Sequence, residues 1–188
     1  MTKDMKYIFH ISDIHIDIER YENLWNSFTK LITDIELKGI DESLLVIVGD
    51  IFENKTILTS DDIYIFDKMM NLLNKKNIKT LIVIGNHDFN INLINEDSDN
   101  KKFVLEILTE HYSNITCLTY TQVYKINNVE FHIYSIVDDK IPLYTENNNI
   151  KIALLHDGVN GAKYDNGQVI QGMRFNINDF NRYDYTML

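Results

Sequence analysis

The run Leu44-Leu45-Val46-Ile47-Val48, closed by Gly49-Asp50, is apolar without interruption and shows no polar alternation. A strand with one wet face alternates. A continuous apolar run is expected of a strand covered on both faces, as in a parallel sheet. On its N-terminal side, Tyr7 to Ser12 reads as a strand; on its C-terminal side, Thr80 to Ile84 reads as another. Between the first two strands, Leu24, Phe28, Leu31, Ile32 and Ile35 fall at the spacing of a helix with one buried face. Between the second and third, Thr59-Ser60-Asp61-Asp62 offers a capping hydroxyl and first-turn acids, and Ile63, Phe66, Met70 and Leu73 are expected to face inward. The first half therefore reads β-α-β-α-β, an α/β class with a parallel sheet and right-handed crossovers.

The second half has a different rhythm. Phe89 to Asn100 is polar and reads as a loop, and Phe103, Leu105, Ile107 and Leu108 suggest a short helix ending near His111. Ile115 to Leu118 reads as a strand. Gln122 to Ile126 and Val129 to Ile136 read as a hairpin across Asn127-Asn128, residues that tolerate a tight turn. Lys151 to Leu155 is a further strand, leading to His156, and Tyr183 and Tyr185 read as core. This half is expected to be more antiparallel than the first. No repeat or linker divides residues 1–188, so one domain is expected.

With 188 residues, 45% of them hydrophobic and 11% aromatic, the chain can bury a sizeable core. A formal net charge of −10 argues against a general nucleic-acid binder, which would carry a basic surface, but not against a cation site. The single cysteine, Cys117, rules out an internal disulfide and fits an intracellular location. Behind Met1-Thr2-Lys3-Asp4-Met5-Lys6 there is no signal-peptide core, and no run approaches the ~18 apolar residues of a membrane span. The expectation is a protein that is neither secreted nor membrane-bound.

Four motifs follow one another: Asp13-x-His15, Gly49-Asp50, Gly85-Asn86-His87-Asp88 and His156. Each stands just past the end of an apolar strand, where open α/β sheets assemble their sites. Asp13 and His15 are two residues apart, so persisting extended geometry points both side chains the same way. A carboxylate with an imidazole suits Mn²⁺, Fe²⁺ or Zn²⁺ better than Mg²⁺ or Ca²⁺. Asp50 can bridge two cations, and Asn86 offers a neutral carbonyl oxygen. His87 is placed to give a proton or hold a phosphoryl oxygen, and Asp88 to hold its imidazole and favour the charged form. Singly, Asp-x-His and Gly-Asp are common in turns, and a lone strand-end histidine is more often structural. Even the tetrapeptide can be read as a strand-to-turn junction with satisfied polar groups. The ordered series is what points to a two-metal phosphoesterase.

This series resembles the calcineurin-like metallophosphoesterase family. Within it, Ile8-Phe9-His10-Ile11-Ser12-Asp13-Ile14-His15 is similar to the opening of the SbcD-type nucleases, the meiotic-recombination class of double-strand-break repair nuclease. Val48-Gly49-Asp50-Ile51-Phe52 and Ile84-Gly85-Asn86-His87-Asp88 match the same subgroup, as does His156 followed by Gly161-Ala162. Tyr183-Asp184-Tyr185-Thr186-Met187-Leu188 resembles the segment that in the family runs into a Gly-His-x-His-type motif, so the domain is expected to be incomplete there and weak in metal binding.

The resemblance implies a two-sheet β-sandwich core flanked by helices. It implies that Asp13 and His15 bind one metal, Asn86 and His156 a second, and Asp50 both, with His87 catalytic and oriented by Asp88. Two divalent ions are implied, Mn²⁺ foremost, with Fe²⁺, Zn²⁺ or Mg²⁺ as alternatives. DNA as substrate, a homodimer and an SMC-like ATPase partner are implied as well. The residues themselves specify only a phosphoester, so a general phosphatase, a small-molecule phosphodiesterase and a metal-poor scaffold stay open. Glu53 stands where some relatives carry a second active-site histidine. His10 is assigned to packing below the site, His111 and His132 to structural roles, and Lys75-Lys76, Lys79 and Lys101-Lys102 to solvated helix ends.

Overall fold

Tyr7–Ile11 (β1), Ser43–Val48 (β2), Thr80–Val83 (β3) and Ile115–Leu118 (β4) form an all-parallel sheet in the order β1-β2-β3-β4. The computed structural model describes residues 5–88, 103–163 and 166–188. The chain divides into two compact units, residues 1–119 and 120–188. In the first, every residue of β2 is buried between β1 and β3, which is why its sequence has no polar face.

Two helices make the crossovers. Tyr21–Lys38 (α1) buries Phe28, Ile32 and Ile35. Ser60–Lys75 (α2) begins at a capping box: the Thr59 hydroxyl accepts from the Asp62 N–H, and the Asp62 carboxylate accepts from the Thr59 N–H. Phe66, Met70 and Leu73 face inward as expected, joined by Ile65 and Met69. Ile63 does not; it is 39% exposed, because the buried stripe runs through Asp62, Ile65 and Phe66 and leaves it on the far side of the first turn. A short helix, Val104–Thr109 (α3), buries Leu105 and is preceded by buried Phe103, while Ile107 is exposed. His10 is exposed and not packed below the site, since β1 is an edge strand. The loop expected at Phe89 to Asn100 lies outside the described residues.

The second unit holds Gln122–Ile126 (β5), Val129–Tyr134 (β6), Ile150–Leu155 (β7), the two-residue strands Val159–Asn160 (β8) and Phe175–Asn176 (β9), and Tyr185–Met187 (β10). Its larger sheet runs β10-β7-β6-β5. β5 and β6 form the expected antiparallel hairpin, with Asn127 at a φ of 54° in the turn. The rest of the sheet is not antiparallel. Residues 135–149 carry the chain back so that Val129 pairs with Ile150 and Tyr134 with Leu155, which makes β6 and β7 parallel; β10 joins β7 in parallel too. The expected α/β class, with two sheets and flanking helices, is what the chain forms.

One face of this second sheet carries a core of Tyr134, Ala153, Leu155, Val159, Phe175, Phe180 and Tyr183. Tyr185 is 62% exposed, since it alternates away from that face on β10, so only Tyr183 of the two tyrosines is core. His132 on β6 is wholly buried beside the rings of Tyr144 and Tyr183, and neither ring nitrogen has a hydrogen-bond partner. Arg174 braces the turn after β6 through the carbonyls of Ser135, Asp138 and Lys140. Among the described residues no helix is long and apolar enough to cross a membrane.

Candidate metal centre

The first motif does not continue the geometry of its strand. β1 ends at Ile11, and Asp13 and His15 take left-handed φ values of 51° and 46°, facing Gly49 at 74° and Asp50 at 52°. The expected extended backbone at Asp13-x-His15 is therefore corrected. Three left-handed non-glycine residues in one place is a strained arrangement, which persists only when the surroundings impose it. Backbone hydrogen bonds do so here: Asp13 N–H to the Gly49 carbonyl at 3.2 Å, His15 N–H to Asp50 at 3.0 Å, and Ile16 N–H to Ile51 at 2.8 Å.

That backbone brings donors together. His15 Nε2 lies 3.7 Å from Asp13 Oδ1 and 3.9 Å from Asp50 Oδ2. A cation with bonds of about 2.1 Å spans donor pairs of this separation with small adjustments. Two carboxylates, one of them buried, and an imidazole nitrogen form a set suited to a divalent cation.

The third motif is built around a glycine. A Cβ at Gly85 would lie 2.3 Å from both the nitrogen and Oδ1 of Asp50, so β3 can deliver Asn86 and His87 this close only through Gly85. Asp50 Oδ1 accepts from the His87 N–H at 2.9 Å. The Asn86 amide, oriented by its neighbours, donates to both Asp50 oxygens at 3.1 and 3.2 Å and accepts from Lys55 Nζ at 2.8 Å. Its oxygen, the atom that would serve a cation, thus rests on a lysine.

His87 Nε2 points toward Asp50 Oδ2 at 3.7 Å, and its ring meets that of His15 edge-on at 4.9 Å. Its Nδ1 lies 2.5 Å from the Glu53 carbonyl oxygen. A carbonyl only accepts, so Nδ1 carries the proton and Nε2 is left for chemistry. Asp88 is not the partner of His87, contrary to expectation. Its Oδ1 accepts from Ile51 and Phe52 N–H at 2.8 and 3.1 Å, and its Oδ2 from Gly85 N–H at 2.9 Å. Burial pushes its pKa up to about 6, against the pull of the Gly85, Phe52 and Ile51 amides and helped by the charge of Asp50. Asp88 ties the turn after β3 to the turn after β2.

Three further side chains enter the picture. Glu53 Oε2 accepts from Arg20 at 3.0 Å and lies 3.1 Å from His15 Nδ1, while Lys55 reaches Asn86. A cavity of about 210 Å³ beside His87 is lined by Asp88, Lys55, Phe52, Ile57 and Phe103. Arg20 and Lys55 have no motif around them, and nothing in the linear sequence marks them. His156 lies in the second unit, half-buried one residue past β7, at the carboxyl end of its strand. The first unit thus brings together Asp13, His15, Asp50, Asn86 and His87, with Asp88 behind them.

The calcineurin-like phosphoesterase family model matches residues 6–185, and the chain belongs to that family. It is similar to the uncharacterized protein R555 of Acanthamoeba polyphaga mimivirus, 30% identical over 203 residues that cover 98% of this chain. The chain spans 14% of that relative's length. The family is one of phosphoesterases that typically bind divalent metals, and the Asp/His cluster is a donor set of that kind.

Proposed function

We propose that the chain is the nuclease core of an SbcD-like repair enzyme, hydrolysing DNA phosphodiesters with two divalent cations, Mn²⁺ foremost. The observation that supports hydrolysis best is the posture of His87: Nδ1 tied to the Glu53 carbonyl at 2.5 Å, Nε2 aimed at the carboxylate cluster. A phosphoryl group beside Asp50 would find Nε2 in reach, and a ring protonated at Nε2 as well as at Nδ1 would hold its oxygen or give a proton to the leaving oxygen. The metals would supply charge neutralisation at phosphorus and an activated water. Asp13 and His15 would hold one cation and Asp50 both. Asn86 would hold the second after turning its oxygen from Lys55. His156 is assigned to that second cation on its motif alone, a strand-end histidine followed by Gly161-Ala162.

The DNA substrate rests on the Ile8 to His15 and Val48 to Phe52 segments. The same reading carries a second copy of the chain and an SMC-like ATPase as partners, inside the cell. A second reading, a phosphatase or small-molecule phosphodiesterase, is favoured by the net charge of −10, which repels a polyanion. Incubation with linear double-stranded DNA and with a chromogenic phosphodiester, each with Mn²⁺, separates the two. Cleavage of DNA that is lost in His87→Ala supports the nuclease. Turnover of the small ester with DNA left intact supports the second reading, and no His87-dependent turnover of either defeats both.

A further inference from the structure

Glu53 touches both histidines of the site, by two different atoms. Its carbonyl oxygen lies 2.5 Å from His87 Nδ1, and its carboxylate Oε2 lies 3.1 Å from His15 Nδ1. The carboxylate is itself held: Arg20 donates to it at 3.0 Å and to Asp17 at 3.3 Å, and Asp17 caps the turn Ile18–Arg20 through the Glu19 N–H. It thus stands at the Nδ1 edge of the His15 ring, while Asp13 and Asp50 stand near Nε2.

His15 Nδ1 is buried and lacks a well-aligned hydrogen bond, although Glu53 is only 3.1 Å away. A small rotation of the ring would align the two. That rotation is what a cation on Nε2 would favour. Once Nε2 gives its lone pair to a cation, Nδ1 must carry the proton, and a carboxylate behind it raises the basicity of the ring.

We infer that Glu53 is a positioning residue for the metal ligand His15, with Arg20 as its anchor; this rests on the metal-centre reading above. Its two contacts are separable. The carbonyl that holds His87 belongs to the backbone and survives any substitution at position 53. The carboxylate that holds His15 does not. The role is therefore in metal affinity, with the histidine next to phosphorus left in place. Glu53 is 43% exposed at its side chain, so replacing it leaves the core untouched.

The test is Mn²⁺ titration by calorimetry on the wild-type chain and on Glu53→Ala, Glu53→Gln and Arg20→Met. Loss of a carboxylate behind a metal-bound imidazole typically weakens affinity about 10- to 100-fold. Glu53→Ala is expected at about 10-fold or more, with Glu53→Gln milder because its amide oxygen still accepts from Nδ1–H. Arg20→Met should weaken binding less, and should add little to Glu53→Ala in the double variant. In the metal-free chain, nitrogen chemical shifts should report His15 protonated at Nδ1 in the wild type and a tautomer mixture in Glu53→Ala. Melting temperatures should agree among all variants. Wild-type affinity retained within twofold in Glu53→Ala overturns the inference and leaves the metal centre standing. Absence of Mn²⁺ binding by the wild type overturns both.

Discussion

Replacing His132 by Leu should make the protein more stable and less sensitive to acid. The imidazole is wholly buried on β6; Nδ1 has no hydrogen-bond partner, and Nε2 faces only Glu130 Oε2 at 3.7 Å, beyond hydrogen-bond length. A buried donor or acceptor left unsatisfied costs on the order of 1–3 kcal/mol. Leucine, of similar volume, removes both. It also forfeits ring contacts with Tyr144 at 5.8 Å and Tyr183 at 5.0 Å between centroids. Those are worth about 0.5–1.5 kcal/mol each. The balance is a gain of about 1–2 kcal/mol at pH 7.5.

The acid side follows from the same burial. Desolvation holds the His132 pKa below its ordinary 6.5; Glu130 opposes that, and Arg182 and Lys151 reinforce it. The folded state thus binds fewer protons than the unfolded state in the window below pH 6.5, so stability falls as pH falls through it. The slope approaches about 1.4 kcal/mol per pH unit for one proton. Glu130, whose pKa is lowered by hydrogen bonds from Asn149 and Asn147, titrates below this window. Urea unfolding followed by circular dichroism at pH 7.5, 6.5 and 5.5 measures both effects. A His132→Leu variant that is less stable at pH 7.5 and keeps the wild-type slope refutes the reasoning, and would mean that the imidazole is well partnered.

Gly85→Ala should lower stability by about 3 kcal/mol in urea unfolding, because its methyl group meets backbone at Asp50 and Gly49 that cannot yield; unchanged stability would refute the packing. Lys55→Met should tighten Mn²⁺ binding by about 3- to 10-fold in calorimetry, since it removes a cation and frees the Asn86 oxygen; weaker binding would contradict this. Cys117, whose pKa burial pushes up to about 12 with help from the charges of Glu106 and Asp88, should react with a thiol reagent at pH 8 at least about 100-fold more slowly folded than in urea. Equal rates would show that the thiol is open to solvent.

The parallel sheet was legible because β1, β2 and β3 are short apolar runs separated by helices with a clear periodicity, and those features are local. The position of the motifs at strand ends was legible for the same reason. The direction of β7 was not, since residues 135–149 carry no periodic signal and the pairing of β6 with β7 is long-range. β8 and β9 are two residues each, too short for any period to register. Within the site, residue types could be read but backbone could not. Asp13, His15 and Asp50 adopt left-handed φ that their sequence does not favour and that only the hydrogen bonds between their two turns impose. Asp88 could be assigned to His87 on adjacency alone, whereas its real partners, the amides of Ile51 and Phe52, come from another turn. Arg20 and Lys55 were illegible because their roles come from which loops meet.

The left-handed turns at Asp13, His15 and Asp50 have an evolutionary consequence. Each such residue is a standing cost of about 1 kcal/mol that glycine would relieve. A lineage freed from selection for catalysis would gain stability by losing these side chains, so drift toward a silent, sturdier fold runs downhill. A variant carrying glycine at Asp13 and His15, with the buried Asp50 kept because its carboxylate accepts from the His87 N–H, should melt above the wild type while losing Mn²⁺ binding; a lower melting temperature would show that the side chains support the fold for its own sake.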